Sequence, residues 1–315
     1  VGGTPVLSMN GNRWVGPGHN SVVTDLAGQD WFVYHAIDRN DPYFAGEVGF
    51  TKRPVLLDGL DWIDGWPTVR AGRWASSTPQ RVPVAEPGDK PRNPLATLPP
   101  HEPAKQYLEL SDEFDGATLN PQWGWVRQPA PGSFEVEAGV FRFDTQAADL
   151  HENSNNASVL LQAAPKHDFL VETKVQLNLP PEGCCQNFVQ AGLVLYGDDD
   201  NYIKLVHVSI WETRQTEFAK EEGPVPAGYP RYGNTVITAP DEWTYLRIAR
   251  HACGQEVCYT GYTSRDGVTW TRGGTWTHKL GEQPRIGLVA MGGEGFTARF
   301  DYVRTYRINP TQKPD

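Results

Sequence analysis

Helical signals are missing from this sequence. No stretch repeats apolar residues at three- and four-residue spacing over three turns, and methionine occurs only twice in 315 residues. Long apolar runs are missing as well. Without a run of about 18 apolar residues the chain has no candidate membrane-spanning helix, so no membrane partner is expected. No secretory signal opens it; it starts Val1-Gly2-Gly3-Thr4 rather than with Met and reads as a processed or cut chain. Basic charge is scarce: 28 Lys and Arg against 38 Asp and Glu leave a formal net charge of −10. With no Lys/Arg-rich run, nothing is provided for a phosphate backbone, which argues against nucleic acid and for a neutral substrate or a cation. P-loop and dinucleotide fingerprints are also absent.

Cysteine is sparse, with four residues. Cys253 and Cys258 flank Gly-Gln-Glu-Val, a two-strand turn, and are placed to close a small disulfide loop. Cys184 and Cys185 are adjacent, and each is expected to pair elsewhere or stay free. No second CxxC or His pair stands at zinc spacing. This usage fits an extracellular, secreted setting.

Aromatics, glycine and proline are plentiful: 11 Trp, 12 Tyr, 12 Phe, 32 Gly and 26 Pro. That mix suits short strands joined by turns. Residues 1–75 carry dense strand signals, including "DWFVYHAI" and "RPVLLDGLDWIDGWPTV". Residues 76–106 are Pro-rich and nearly free of aromatics, and read as a linker or a strap lying on a surface. From 107 to 308 strand-like runs recur with turns between them, such as "FLVETKVQLNL", "FVQAGLVLYG" and "NYIKLVHVSIW", which predicts an all-β sandwich. Residues 309–315 form a tail. "DDDN" at Asp198–Asn201 reads as a solvated hairpin turn.

Two stretches resemble known families. Gly16-Pro17-Gly18-His19-Asn20-Ser21, Trp31 to Ala36, Arg53-Pro54-Val55-Leu56 and Asp64-Gly65-Trp66-Pro67, in that order, resemble the last part of a five-bladed β-propeller of glycoside hydrolase family 43, most of all its arabinan-degrading members. "LSDEFDGATLNPQW", "AGLVLYGDDDNYIKL", "TSRDGVTW" and "ARFDYVRTY" resemble the concanavalin-like sandwich, a jelly roll of the β-xylosidase C-terminal type, that follows the propeller in many members. The resemblance implies an all-β chain: the final one to two blades, then the sandwich. It implies inverting hydrolysis of arabinose- or xylose-containing polysaccharide, with α-L-arabinofuranosyl linkages first and β-xylosyl linkages second.

The family's base, acid and third carboxylate come from earlier blades, and none has a matching motif here. An inverting pair stands about 6.5–9.5 Å apart, and neither Glu47 nor Asp38 aligns with such a position. The chain is therefore expected to be inactive alone and to need an N-terminal propeller chain as partner. The rival reading is a non-catalytic carbohydrate-binding sandwich; a third is a sandwich that only stabilises its propeller.

His19 follows Gly16-Pro17-Gly18, a turn whose glycines allow unusual φ and whose proline stiffens it. The resemblance implies that His19 helps hold a calcium ion near the propeller axis; the alternative is a histidine bonded to a backbone carbonyl. Alternation puts His35 on the face opposite Tyr34 and Ala36, as a core histidine in a polar network. Arg53 faces the pocket or pairs with Asp38. Trp62 and Trp66 are candidates for sugar stacking or for packing between blades. Asp112, Glu113 and Asp115 near the sandwich's start, with Asp301 in its last strand, offer hard oxygen ligands for a second calcium; otherwise they are exposed acids. Trp211, Glu212, Arg214 and Glu217 line a sugar groove, reach the propeller pocket, or form an Arg–Glu network closing one face of the sheet.

Overall fold

Stretches that alternate apolar and polar side chains, or are apolar throughout, become antiparallel strands in the computed structural model. The structure describes residues 6–7, 13–45, 50–63, 66–70, 75–77, 79–90, 101–225, 230–253, 256–281 and 283–308, without the side chains of Ile63, Trp66, Cys253 and Glu256. The tail, Glu47 and the Asp64-Gly65 pair lie outside them. Leu108–Leu110 is a short 3-10 segment, and among the described residues no helix is long and apolar enough to cross a membrane. The chain divides into two compact units, the first Pro5–Pro100 with Gly274–Thr277, the second Val1–Thr4, His101–Gly273 and His278–Asp315.

In the first unit β1 (Trp14–Thr24), β2 (Asp30–Asp38), β3 (Val55–Ile63) and β4 (Trp66–Val69) pair in sequential order. A four-stranded up-and-down sheet of this kind is a propeller blade. Trp14, Phe32, Tyr34, Ala36, Leu60, Val69 and Ala75 make its core. Tyr34 donates to the fully buried Asp58 at 2.6 Å, and the Ser76 N–H donates to the same carboxylate oxygen. Burial, and then the Asp58 charge, push the Tyr34 phenol far above its ordinary range. Asp25 fixes the Pro-rich stretch beside the blade: the Val84 N–H donates to it at 3.0 Å, and the Val84 carbonyl accepts from Leu26 N. With further donation from Ala27 N, Gln29 N and Trp31 Nε1, these bonds, Val84's foremost, hold the Asp25 carboxyl down at about 2.

The second unit is a sandwich. One sheet has seven strands in the order β16 (Tyr232–Val236), β15 (Thr213–Glu221), β14 (Asn201–Ile210), β13 (Gln190–Asp198), β20 (Arg285–Met291), β11 (Val159–Ala163), β6 (Gly124–Val126). The other runs β19 (Thr271–Thr277), β18 (Glu256–Ser264), β17 (Thr244–Cys253), β12 (Phe169–Leu177), β21 (Thr297–Ile308), β8 (Val140–Asp144), β7 (Phe134–Glu137), with β5 (Pro103–Gln106) also beside β21, while β9 (Leu150–His151) and β10 (Ser154–Asn155) pair with each other. The two layers press closely: a Cβ added at Gly192 of β13 would stand 2.9 Å from Leu246 Cδ1 of β17. Leu193, Leu195, Leu205, Leu246 and Ile248 are buried.

Gly287 marks another tight point. It is registered with Leu161 on one side and Val194 on the other. A Cβ there would stand 2.5 Å from the Leu160 carbonyl oxygen, with Val194 Cγ1 at 3.1 Å. Both neighbours are central strands, so neither can retreat cheaply. Gly287→Ala is expected to cost about 1–3 kcal/mol through overpacking, read as a lower denaturant midpoint at unchanged slope.

The adjacent cysteines depart from expectation. Cys184 and Cys185 are disulfide-bonded to each other, in an exposed loop before β13. Their neighbourhood in sequence argued for distant partners, but a vicinal disulfide needs none. Cys258 is buried and disulfide-bonded; Cys253 ends the facing strand.

Candidate functional site

Gly16-Pro17-Gly18-His19 lies inside β1 rather than forming a turn before a strand. Register slips on either side of Gly18, where it faces His35. Gly16 at φ +58° and His19 at φ +51° absorb this irregularity. The resulting bulge leaves the His19 side chain exposed, edge-on to His35 with ring centroids 5.7 Å apart. His35 is half-buried on the face opposite Tyr34 and Ala36, and its Nδ1 is buried without a hydrogen-bond partner. Two imidazoles are a poor set for calcium, which takes six to eight oxygens. Among the described residues no group of three or more His, Cys, Asp and Glu could hold a metal ion. The two imidazoles alone do not complete a calcium shell.

Around this bulge the blade's polar groups hold one another. Asp38 accepts from Arg13 Nε at 2.7 Å, not from Arg53. Arg53 is exposed and donates to Thr51 Oγ1 at 3.1 Å. Asp30 accepts from Thr24 Oγ1 and from Trp62 Nε1 at 2.8 Å, bonds that lower its pKa. That tether leaves the Trp62 indole 55% exposed. Trp66 opens β4, and its side chain lies outside the described residues. Asp41 is paired with Lys52.

In the sandwich, the chain's early and late segments do meet: Asp112 and Val303 exchange backbone hydrogen bonds. Their acids do not converge on a calcium site. Asp112 accepts from Phe114 N and from Trp123 Nε1 at 2.7 Å. Glu113 is bidentate with Arg304, at 2.7 Å for both bonds. Asp301 pairs with Lys174 at 2.9 Å. Each carboxylate is neutralised or hydrogen-bonded by its own partner, which explains the lack of convergence.

The β14–β15 hairpin also differs from expectation. Trp211 sits at its tip with φ +50° and is 57% exposed; Glu212 beside it is exposed. Arg214 bonds no glutamate. Its guanidinium holds the carbonyls of Pro180, Trp211, Thr213 and Gly183, so it fixes two loops. Glu217 instead accepts from Tyr232 and Asn234 and lies 3.8 Å from Lys204. Lys204, 2% exposed, donates to Gln190 Oε1 at 2.7 Å with the Tyr232 ring 5.1 Å away. Next to it Tyr202 donates toward Glu221, which Arg231 pairs. This network ties β13, β14, β15 and β16 together.

Asp198–Asn201 does form the β13–β14 turn, with Asp198 Oδ1 capping Asp200 N. Its neighbours are not merely solvated: Asp199 is bidentate with Arg127 at 2.8 Å, and Asp200 pairs with Arg231. Sequence reasoning passed over Lys204 and His207, both buried. Their signal was two basic side chains interrupting the apolar run "YIKLVHVSI".

Residues 111–305 match the family model of the beta-xylosidase C-terminal concanavalin A-like domain, GH43_C2. The chain belongs to this glycoside hydrolase family 43 domain family. The domain's relatives are larger proteins. The chain is 24% identical over 201 residues to a non-reducing end alpha-L-arabinofuranosidase, BoGH43B, of Bacteroides ovatus, covering 60% of this chain and 31% of that protein. It is 25% identical over 99 residues to a beta-xylosidase of Formosa agariphila, covering 31% of this chain and 14% of the other. A crystal structure of the GH43 protein BlXynB from Bacillus licheniformis superposes with TM-score 0.50 at 21% identity, over 96% of this chain and 56% of that one. That likeness concerns the fold alone. The chain thus spans about half the length of BlXynB, and its matched residues cover under a third of the curated relatives.

Proposed function

We propose that this chain is the C-terminal portion of a secreted glycoside hydrolase that cleaves arabinose- or xylose-containing polysaccharide with inversion, α-L-arabinofuranosyl linkages foremost. One observation carries the reading: a family 43 concanavalin-like domain shares its chain with a blade whose outer surface stays apolar and open. β1 is an edge strand, and Val22, Val23, Val55 and Trp62 are between 49% and 74% exposed. Apolar side chains on an open sheet edge call for further strands to cover them. Earlier blades on an N-terminal portion would do so and would supply the acid and base. In inversion those two carboxyl groups activate water and protonate the leaving oxygen on opposite sides of the sugar.

The test compares the chain alone with the chain produced together with N-terminal family 43 blades. Alone, it is expected to release no arabinose or xylose from arabinan or xylan and to associate or precipitate; together, the pair is expected to be monodisperse and to hydrolyse one of the two. Hydrolysis by the chain alone, or a soluble pair that hydrolyses neither, would overturn the reading.

A further inference from the structure

Cys184 and Cys185, bonded to each other, are both exposed. A disulfide stabilises a fold mainly by restraining the unfolded chain, and more so the more residues it encloses. This one encloses none, so it staples no distant segments together. Its surroundings give it something else to hold. In the loop 180–188, the carbonyls of Pro180 and Gly183 accept from Arg214 at 2.6 and 3.2 Å. The same guanidinium holds the Trp211 and Thr213 carbonyls at the tip of the β14–β15 hairpin. Trp211 N donates to Asn187 Oδ1, and Phe188 N donates to the Ser209 carbonyl at 2.8 Å. Phe188 and Trp211 have φ of +67° and +50°, a backbone that bulky side chains adopt only where their surroundings impose it. The cysteine pair thus lies between two anchors, Gly183 and Asn187, that fasten its loop to the hairpin tip.

We propose that Cys184 and Cys185 form a redox-active site that exchanges two electrons with a dithiol, and that its state sets the order of loop 180–188 and of the Trp211 tip. Exposure admits the reagent, because exchange needs a thiolate to reach a disulfide sulfur, and exposed disulfides are the labile ones. A thiolate of the dithiol attacks one cysteine sulfur, the S–S bond breaks, and the departing cysteine thiolate takes up a proton. The dithiol's second thiolate then displaces the attached cysteine, which is protonated in turn. The pair gains two electrons and two protons, and the dithiol leaves as its own disulfide. Closure reverses these steps, with the resolving thiol always on the neighbouring residue. Reduction opens the ring that joins two successive side chains. The backbone between Gly183 and Asn187 then regains torsional freedom, and its anchors to Arg214 and Trp211 loosen.

The exchange is read without sugar turnover, so its failure is distinct from failure of the hydrolytic reading. The folded full chain is held in millimolar dithiothreitol without denaturant, quenched with iodoacetamide and mapped by peptide mass. Cys184 and Cys185 are expected to be unlabelled before reduction and both labelled after it, and to recover their bond in oxidised dithiothreitol. Cys258, buried and disulfide-bonded, is expected to stay unlabelled. On reduction, amide hydrogen exchange is expected to quicken about tenfold or more at residues 183–188 and 211–214. The double variant Cys184→Ser with Cys185→Ser is expected to show the same fast exchange in oxidising buffer. Labelling before reduction, labelling of one cysteine only, or labelling no more readily than Cys258 would overturn the proposal. So would amide exchange that stays unchanged in the reduced chain and in the double variant.

Discussion

Acidification from pH 7 to pH 4 is expected to lower the denaturation midpoint of this chain steeply, with the loss beginning near pH 6.5. Three buried histidines of the sandwich set this window. His207 is lowered to about 4 by burial and then Arg214. His278 is lowered to about 4 by burial and then Lys220. His101 is lowered to about 3, by burial and then by His251 and Arg272. Hydrogen bonds fix two of these rings. His278 Nδ1 accepts from Lys279 N, so its Nε2 carries the proton and donates to the Glu221 carbonyl. His101 Nδ1 shares a hydrogen bond with the Tyr262 hydroxyl at 2.7 Å.

An unfolded histidine titrates near pH 6.5, so between that value and the folded one the unfolded chain binds more protons, and stability falls as pH falls. The contribution is complete above about pH 6.5; it is gone below about pH 4 for His207 and His278 and below about pH 3 for His101. At about 1.36 kcal/mol per pH unit, His207 and His278 each account for roughly 3 kcal/mol at most and His101 for roughly 5. The carboxylates act lower: Asp25, held at about 2, loses its contribution only as pH falls from its unfolded value, near 4, through 2. Urea midpoints at half-unit steps of pH check this, and a folded His207→Leu variant should show a shallower slope. A flat profile between pH 6.5 and 4.5 would contradict it.

What was legible in the sequence follows the range of the interactions involved. Strand alternation is local, so "NYIKLVHVSIW" and "FVQAGLVLYG" read directly as β14 and β13, and the all-β sandwich with a blade before it is what the structure has. Misreadings fell where partners lie far along the chain. Glu113 finds Arg304 and Asp199 finds Arg127, at separations of 191 and 72 residues. No local pattern encodes either pair, so Glu113 looked like a metal ligand and Asp199 like part of a solvated turn. Arg214 looked like the centre of an Arg–Glu network, yet it is drawn to loop carbonyls that the apolar sheet leaves unsatisfied. Gly16-Pro17-Gly18 carries turn chemistry, but the pairing of β1 with β2 turns that flexibility into a bulge. His207 was hidden for the opposite reason: it sits in a strand apolar enough to conceal it.

Removing Glu172 is expected to be the most damaging single substitution in the eight-stranded sheet. Glu172 of β12 faces Arg247 of β17 across the ladder. The two are 6% and 7% exposed. Arg247 donates through Nε at 3.0 Å and an NH2 at 2.7 Å to one carboxylate oxygen, while Tyr302 donates to the other at 2.6 Å. The guanidinium lies 3.6 Å from the Trp270 ring centroid, so its upper face is covered too. Burial, and then the Glu172 charge, raise the Tyr302 phenol far above its ordinary range, which keeps it a donor. Glu172→Ala leaves a buried, uncompensated guanidinium and a phenol without its acceptor, at a cost of about 3–5 kcal/mol.

The pair itself need not be net stabilising, because two charges were desolvated to make it. The double variant Glu172→Leu with Arg247→Met is therefore expected to recover most of the loss, since it removes both charges and keeps the volume. Denaturant midpoints of Glu172→Leu, of Arg247→Met and of the double variant measure the coupling. A Glu172→Ala chain within about 1 kcal/mol of the parent would show that water reaches Arg247, because only a solvated guanidinium tolerates the loss of its partner so cheaply. A double variant no better than the single would mean instead that the hydrogen bonds to Glu172, and not the stranded charge, hold β12, β17 and β21 in register.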